Sequence, residues 1–249
     1  MAAHYDDPGF LYTDYWPGRN YEHQSEVIAI TRLLENSRFN NSVDIGGGFG
    51  RLIPALIPFS KKIILIEPSN KLRSIAQKTY PSDKQVTVIS GTAQKTNLSA
   101  SSQDLAMLVR VLHHIPDPLP VFKEIYRILK PEGIFILEFA NSFNFKAKIQ
   151  SWVTGQPILL IPVEKRKLSN IRRKTIPFVN HSPVTINRLL AKTGFTIEKK
   201  LSVSNFRLPF IKNILPVSLL IKLEKYFQPV LSGFDFGPSI FILAKKPNP

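Results

Sequence analysis

The sequence predicts an α/β fold in which helices cover both faces of one mostly parallel sheet. Short apolar strand patterns alternate with segments of helical spacing along the first 140 residues. Neighbouring parallel strands need crossover connections of this kind, usually helices. Apolar residues make up 43% of the 249 residues, which is enough to bury a substantial core, so the composition excludes a mainly disordered protein.

The individual elements follow from the spacing of the apolar residues. Helical spacing occurs in the segments 23–36, 69–79, 119–129 and 183–192. Strand patterns occur in the segments 42–45, 62–66, 85–89, 104–109, 133–139, 195–203 and 239–244. Between residues 140 and 180 the chain is a long basic segment, and in 209–227 apolar residues alternate with lysines.

A glycine cluster follows the first strand, where Asp44 is succeeded by Ile-Gly-Gly-Gly-Phe-Gly. Glycine lets the backbone turn tightly and approach a ligand, and the next helix offers free N–H groups. A nicotinamide dinucleotide fingerprint would need a glycine where Arg51 stands. Glu67, at the end of the second strand, can accept both hydroxyls of a ribose. Together, the glycine cluster and Glu67 indicate a nucleoside site. The alternative for the glycine cluster is a simple turn, and the alternative for Glu67 is a solvated carboxylate at the end of a strand.

Four ordered motifs cover roughly residues 40–140: VDIGGGFG (43–50), ILIEPS (64–69), DLAMLVRVLHHIPDP (104–118) and ILKPEGIFILE (128–138). On these motifs the chain resembles the class I S-adenosylmethionine-dependent methyltransferases. The closer resemblance is to the small-molecule (type 11) group that includes ubiquinone and menaquinone biosynthesis enzymes. It implies a Rossmann-like three-layer sandwich with a seven-stranded, mostly parallel sheet of order 3-2-1-4-5-7-6, whose strand 7 is antiparallel.

The resemblance also implies how the chain is organised as one methyltransferase domain, 1–249. Residues 1–36 would cover the cofactor and residues 40–140 would form the cofactor-binding core. Residues 141–235 would form a basic, partly amphipathic lid or substrate region that includes strand 6. Residues 236–249 would supply the last strand and the tail.

The resemblance implies S-adenosylmethionine as the cofactor, and no metal. Asp44, Gly46 and Gly48 would line its methionine and ribose moieties, Glu67 would take the ribose hydroxyls, and Arg110 would lie near the amino acid moiety or the transferred methyl group. Where the family usually has Gly-Asp-Ala, this chain has Gly91-Thr92-Ala93, so the usual carboxylate is missing. The full predicted cofactor set is Asp44, Gly46, Gly47, Gly48, Glu67, Pro68, Thr92, Ala93, Arg110, Arg19 and Tyr15.

An aromatic cluster with Arg19 near the N-terminus resembles the segment that folds over the cofactor in these enzymes. Arg19 could pair with the methionine carboxylate. Tyr12, Tyr15 or Trp16 could cover the sulfonium by cation–π attraction. Ordinary packing of an N-terminal arm is the alternative interpretation.

His113 and His114 follow the fourth strand, where the active-site mouth of such a sheet lies. A histidine pair recurs at this place in the family, and one of the two could act as base or position the acceptor. The alternative is a histidine that bonds the backbone at a strand-to-helix turn. His181, before Ser182 and Pro183, could also reach the pocket, although helix capping alone explains its neighbours.

The net charge of +15 is concentrated in one half of the chain. Residues 1–140 contain 15 basic and 14 acidic residues, whereas residues 141–249 contain 18 and 4. Such asymmetry favours a polyanionic partner that contacts one region only. Six cations lie within ten residues directly after the apolar run 157–163: Lys165, Arg166, Lys167, Arg172, Arg173 and Lys174.

The apolar stripe of 206–227, bordered by lysines, resembles a membrane-interfacial helix. One hypothesis is therefore a cover that docks on an anionic membrane and admits a hydrophobic acceptor, such as a quinone precursor or another lipid. The alternative is a substrate lid whose stripe packs on the sheet.

A second class of function is methylation or binding of RNA or another nucleic acid by the basic half. Methyltransferases that act on base amino groups carry an Asn/Asp-Pro-Pro-aromatic segment after strand 4, and this chain has Val111-Leu112-His113-His114 there. A nucleic-acid partner is therefore disfavoured. A noncatalytic binding module that kept the fold is a third interpretation.

The expected location is cytoplasmic, with peripheral contact to the inner face of a membrane under the docking hypothesis. The first ten residues contain two aspartates and no apolar run, so no signal peptide is predicted. The apolar-leaning stretch 149–163 is broken by Pro157 and Pro162 and is too short to span a bilayer. The absence of cysteine suits a reducing compartment and excludes cysteine nucleophiles and thiolate metal sites.

Overall fold

A seven-stranded sheet forms the middle of three layers in the computed structural model, which describes residues 4–6, 12–81, 85–172 and 175–248. The strands are β1 Phe39–Ile45, β2 Ser60–Ile66, β3 Val86–Ile89, β4 Gln103–Leu108, β5 Leu129–Ala140, β6 Val163–Glu164, β7 Val179–Asn180, β8 Thr196–Val203 and β9 Ser239–Lys245. The helices are α1 Asn20–Leu33, α2 Ile53–Leu56, α3 Asn70–Thr79, α4 Leu119–Ile128, α5 Phe145–Thr154, α6 Leu168–Arg172, α7 Pro183–Thr193, α8 Pro209–Ile214 and α9 Val217–Ser232.

The strand order is β3-β2-β1-β4-β5-β9-β8. It confirms the predicted order because β6 and β7 form a separate two-stranded hairpin and do not enter the sheet. β1 runs parallel to β2 and β4, while β9 is antiparallel to β5 and β8. The carboxyl ends of β1, β2, β4, β5 and β8 therefore lie at one edge of the sheet.

Successive strand residues pack alternately into two hydrophobic cores, one on each face of the sheet. Leu105 and Met107 of β4 join the core under α1 and α2, whereas Ala106 and Leu108 join the core under α4 and α7. The mostly parallel sheet is thus buried on both sides, as the alternation of strand and helix patterns predicted.

The helix boundaries have local chemical causes. α3 begins after Ser69, whose hydroxyl accepts a hydrogen bond from the Leu72 N–H at 3.2 Å. α1 runs three residues earlier than predicted and ends before Asn36, which takes a left-handed φ of 63°. α7 ends at Gly194, with φ 101°.

The basic half departs most from the prediction. The segment 140–180 contains the unpredicted helix α5, which Asn144 caps by accepting from the Ala147 N–H. The apolar stripe of 206–227 is divided at Pro216 into α8 and α9. Of the six-cation run, Arg173 and Lys174 lie outside the described residues.

The two halves of the stripe differ in environment. α9 turns Leu220 and Glu224 inward and packs against β8 and α1. α8 instead leaves Phe210 and Ile214 exposed. In the part of the chain that the structure describes, none of the helices is both long enough and apolar enough to cross a membrane.

Candidate functional site

A cavity of about 310 Å³ opens at the carboxyl ends of β1, β2 and β4. Ten of the predicted site residues line it: Asp44, Gly46, Gly47, Gly48, Glu67, Pro68, Thr92, Ala93, Arg110 and His114. The motifs converge because the carboxyl ends of adjacent parallel strands meet at one edge of the sheet.

The glycine loop is a tight bend held close to its neighbours. The Gly46 N–H donates to the Ile66 carbonyl at 2.7 Å, and Gly46 takes a φ of 71° that favours glycine. A Cβ atom on Gly46 would lie 2.4 Å from Cγ2 of Val111, which also lines the cavity. The absence of a side chain is therefore a steric requirement at this position.

Glu67 is fixed by the backbone of the loops around it. Its Oε2 accepts from the Gly48 N–H at 3.0 Å, and its Oε1 accepts from the Ser69 N–H at 2.9 Å. Burial raises the pKa of Glu67, and these two N–H donors act against the rise. Each carboxylate oxygen can accept a second hydrogen bond, so the group fits a ligand with two adjacent hydroxyls.

Asp44 lines the same cavity and has one carboxylate oxygen without a hydrogen-bond donor. Its Oδ2 is buried and finds no hydrogen-bond partner among the residues that the structure describes. Burial raises the pKa of Asp44 to about 7; the Arg51 charge opposes this rise, and the Glu67 charge adds to it. A buried carboxylate oxygen without a donor is costly, so the site fits a ligand that brings a cationic donor, such as an ammonium group.

A buried carboxylate that the sequence analysis did not identify holds two arginines beside the cavity. Glu26 of α1, 1% exposed, lies 2.6 Å from Arg51 Nη2 through Oε2 and 2.6 Å from Arg110 Nε through Oε1. Arg110 has a left-handed φ of 63°, and its N–H donates to Glu138 Oε2 at 2.8 Å. The Arg51 guanidinium stacks 3.5 Å from the centre of the Trp16 ring.

Tyr15 and Arg19 are not among the residues that line this cavity. The Arg19 guanidinium lies 3.9 Å above the Tyr15 ring, and Arg19 lines a neighbouring pocket with Trp16 and Arg51. The aromatic cluster thus contacts the protein's own arginines, which is the packing that the alternative interpretation expected. The assignment of Tyr15 and Arg19 to the cofactor stays a prediction.

The histidine pair has two distinct environments. His114 lines the cavity; its Nε2 lies 2.6 Å from the Tyr5 hydroxyl and its Nδ1 lies 2.8 Å from the Pro177 carbonyl. A carbonyl oxygen can only accept, so Nδ1 of His114 carries a proton, and Nε2 of the neutral ring accepts from Tyr5.

His113 is buried between His114 and Phe178, at ring-centre distances of 3.9 and 4.8 Å, and is not among the cavity-lining residues. Burial, with His114, Arg110 and His181 nearby, holds the pKa of His113 well below its usual range. His181 faces the chain turn after β4, where its Nε2 lies 3.1 Å from the Leu112 carbonyl. Because the His181 ring is directed at this carbonyl, it does not line the cavity.

Thr92 lines the cavity, and its hydroxyl accepts from the Lys95 N–H at 3.1 Å. The cavity residues that sequence reasoning missed are Tyr5, Phe49, Arg51, Leu52, Leu72, Gln94, Val109, Val111, Ile115 and Ile176. Phe49 and Arg51 stand beside the predicted glycines and could have been included. Tyr5 and Ile176 come from distant segments and carry no local signal.

The chain is similar to known methyltransferases. Residues 43–137 match the family model described as methyltransferase domain. An uncharacterised methyltransferase of Oceanobacillus iheyensis is 26% identical over 140 residues, 53% of this chain and 63% of the relative. An S-adenosylmethionine-dependent methyltransferase of Mycolicibacterium smegmatis is 22% identical over 79% of this chain and 65% of its own length. The chain thus spans less than two thirds of the length of these relatives.

Solved structures support the same fold. A SAM-dependent methyltransferase from Thermotoga maritima superposes with a TM-score of 0.68 and 24% identity, covering 98% of both chains. The geranyl diphosphate C-methyltransferase of Streptomyces coelicolor superposes with a TM-score of 0.58 and 15% identity over 89% of this chain and 77% of its own. At these identities the likeness concerns the fold.

Proposed function

We propose that this protein, whose residues 43–137 match the methyltransferase domain model, moves a methyl group from S-adenosylmethionine to a small apolar acceptor. One observation carries the proposal: Glu67, fixed by two N–H donors, and the unpartnered Asp44 oxygen face one cavity across the Gly46 bend. A ribose diol and an ammonium group satisfy these two carboxylates, and the cofactor carries both.

The residues fit the cofactor without a metal. Glu67 binds the ribose hydroxyls, Asp44 takes the ammonium group, and Pro68 and Ala93 supply apolar contact for the base. When bound, the cofactor supplies a sulfonium methyl group for in-line displacement. The protein's task is then to align the acceptor with that methyl group and to exclude water.

The acceptor in this proposal lies beside the polar pair Tyr5 and His114 and the apolar residues near them in the chain. Val111, Ile115 and Ile176 line the cavity together with Tyr5 and His114. An acceptor hydroxyl can donate to the Tyr5 oxygen, and the Tyr5 proton can move to His114 Nε2, which already accepts it in a hydrogen bond. This pair therefore positions a protic acceptor and takes its proton.

The direct test is binding followed by transfer. Titration calorimetry of the purified protein with S-adenosylmethionine is expected to show one site. Incubation with methyl-labelled cofactor and lipid extracts is expected to label an extractable small molecule. No binding heat and no thermal protection in any buffer would refute the enzymatic proposal. Binding without label in lipid extracts, but with label in polar metabolites, would refute the apolar acceptor only.

Cofactor affinity is expected to rise with pH up to about 7. The folded-state pKa of Asp44 is raised to about 7, so below this pH the free protein holds a proton on the carboxyl group that the ammonium needs ionised. Binding then releases the proton, and each pH unit below 7 weakens affinity by up to about tenfold. Calorimetry between pH 5.5 and 7 measures this slope. Asp44→Asn should bind weakly at every pH, and an unchanged slope in that variant would contradict the assignment.

A further inference from the structure

The segment that follows β5 exposes an unusual amount of apolar surface. Ten of the 21 exposed large hydrophobic residues of the described chain lie between residues 145 and 178. Trp152 of α5 is 86% exposed, Val153 is 70% exposed, and Ile161 is 64% exposed. We call Phe145, Ile149, Trp152, Val153, Leu159, Leu160, Ile161 and Leu168 the exposed apolar surface. Exposed apolar side chains concentrated in one segment on this scale indicate an interaction site.

This surface lies at the same edge of the sheet as the cavity. α5 begins after the carboxyl end of β5, and the Thr185 hydroxyl of α7 holds the Leu160 carbonyl at 2.6 Å. The same stretch continues through the β6–β7 hairpin to Ile176, which lines the cavity, and Pro177, which bonds His114. The exposed apolar surface and part of the cavity wall therefore belong to one continuous stretch of chain.

The same segment is rich in cations. Residues 141–180 contain eight Lys and Arg residues and a single acidic residue, Glu164. That carboxylate is already paired with Arg166 at 2.7 Å. Lys146, Lys165, Lys167 and Arg172 are exposed. The region thus combines exposed apolar side chains with a positive charge that its own acidic group does not neutralise.

We infer that the exposed apolar surface docks on an anionic phospholipid bilayer. Apolar side chains can enter the headgroup and acyl boundary, while surrounding lysines and arginines contact anionic headgroups. RNA would satisfy the cations but would leave Val153, Leu159 and Ile161 without an apolar partner, since nucleic acid offers phosphates and stacked bases. The bilayer is thus the single occupant that complements both the apolar and the basic residues. The inference concerns docking and does not depend on methyl transfer.

Trp152 provides an intrinsic probe. The chain has two tryptophans, and the other, Trp16, stacks on Arg51. Vesicles of equimolar phosphatidylglycerol and phosphatidylcholine at low salt are expected to shift the emission to the blue, and brominated lipids to quench it. Vesicles of phosphatidylcholine alone should bind much more weakly. The full chain is used, and calorimetry with S-adenosylmethionine checks the cavity separately.

Matched variants distinguish vesicle binding through the exposed apolar surface from nonspecific adsorption. Trp152→Ser with Ile161→Ser is expected to weaken vesicle sedimentation by roughly 100-fold, because two large apolar side chains no longer enter the bilayer. Ile197→Ser is the control, since Ile197 is 38% exposed at the start of β8, the opposite edge of the sheet.

The charge contribution has its own pair of variants. Lys165→Gln with Lys167→Gln should weaken vesicle binding about 30-fold. Each cation contributes about 1 kcal/mol at an anionic surface, and about 1.4 kcal/mol corresponds to a tenfold change in affinity. Lys61→Gln with Lys62→Gln, also exposed and at the start of β2, should leave binding unchanged.

Each outcome decides the inference. Vesicle binding that depends on Trp152, Ile161, Lys165 and Lys167 supports it. No binding to anionic vesicles at low salt overturns it, and so does equal binding by the surface and control variants. Retention of a single-stranded RNA at physiological salt without vesicle binding would assign the basic region to nucleic acid instead. Cofactor binding that persists in any of these cases leaves the proposed methyl transfer standing.

Discussion

Gly46→Ala is expected to weaken S-adenosylmethionine binding by at least about 100-fold, since displacements near 1 Å in a positioned site have effects of this size. The new Cβ would stand 2.4 Å from Val111 Cγ2. Valine is stiff about χ1, so the glycine loop or the cavity wall must move. Either movement displaces the backbone that faces the cofactor. Titration calorimetry and thermal melting with and without cofactor measure the effect.

The control for this prediction is Gly155→Ala. Gly155 has nearly the same φ, 66°, but nothing lies within 4 Å of an added Cβ. It carries the same backbone strain, about 1–2 kcal/mol, without the collision. Val111→Ala added to Gly46→Ala removes the colliding methyl groups and should recover part of the affinity. Equal affinity of Gly46→Ala and the parent would place the cofactor elsewhere.

Glu26→Gln is expected to lower the free energy of unfolding by about 3–5 kcal/mol, the usual cost of breaking a buried ion pair by removing one partner. The amide keeps the shape but loses the charge that holds Arg51 and Arg110 together at 2.6 Å each. Both arginines line the cavity, so cofactor affinity should fall as well. Chemical denaturation and calorimetry measure the two effects.

A surface carboxylate provides the comparison. Glu132 pairs with Lys245 at the surface, where the Glu132 side chain is 48% exposed, so Glu132→Gln should leave the melting temperature and cofactor affinity unchanged. If Glu26→Gln melted and bound like the parent, the two arginines would be held by their other contacts, and Glu26 would have no positioning role.

The fold was predictable because its signals are local. Strands β2 and β4 each end in an apolar run, 63–66 and 105–108, and each run is followed by a turn and a helical period. The glycine loop and Glu67 were predictable for a related reason, since each follows a recognisable strand. The carboxyl ends of neighbouring parallel strands lie side by side at one edge of the sheet. The resemblance then supplied the strand order, which periodicity cannot give.

The rest of the site depends on contacts between distant segments. Glu26 sits in an ordinary helix, and nothing nearby in the sequence marks it as the partner of Arg51 and Arg110. Tyr5 meets His114 across 109 residues. Helix α5 has apolar residues at helical spacing, but the run continues into the proline-broken stretch to Val163, so periodicity alone does not separate the helix.

The chain leaves the sheet edge at Asn141 and returns beside the same point at His181. These two residues form a parallel bridge, and the Ser142 N–H donates to the His181 carbonyl at 2.9 Å. The intervening segment, with α5, α6 and the β6–β7 hairpin, therefore begins and ends at the same point of the sheet. A different insert could therefore be grafted between Asn141 and His181 without changing the order of the strands in the seven-stranded sheet, so this region can vary while the sheet stays the same.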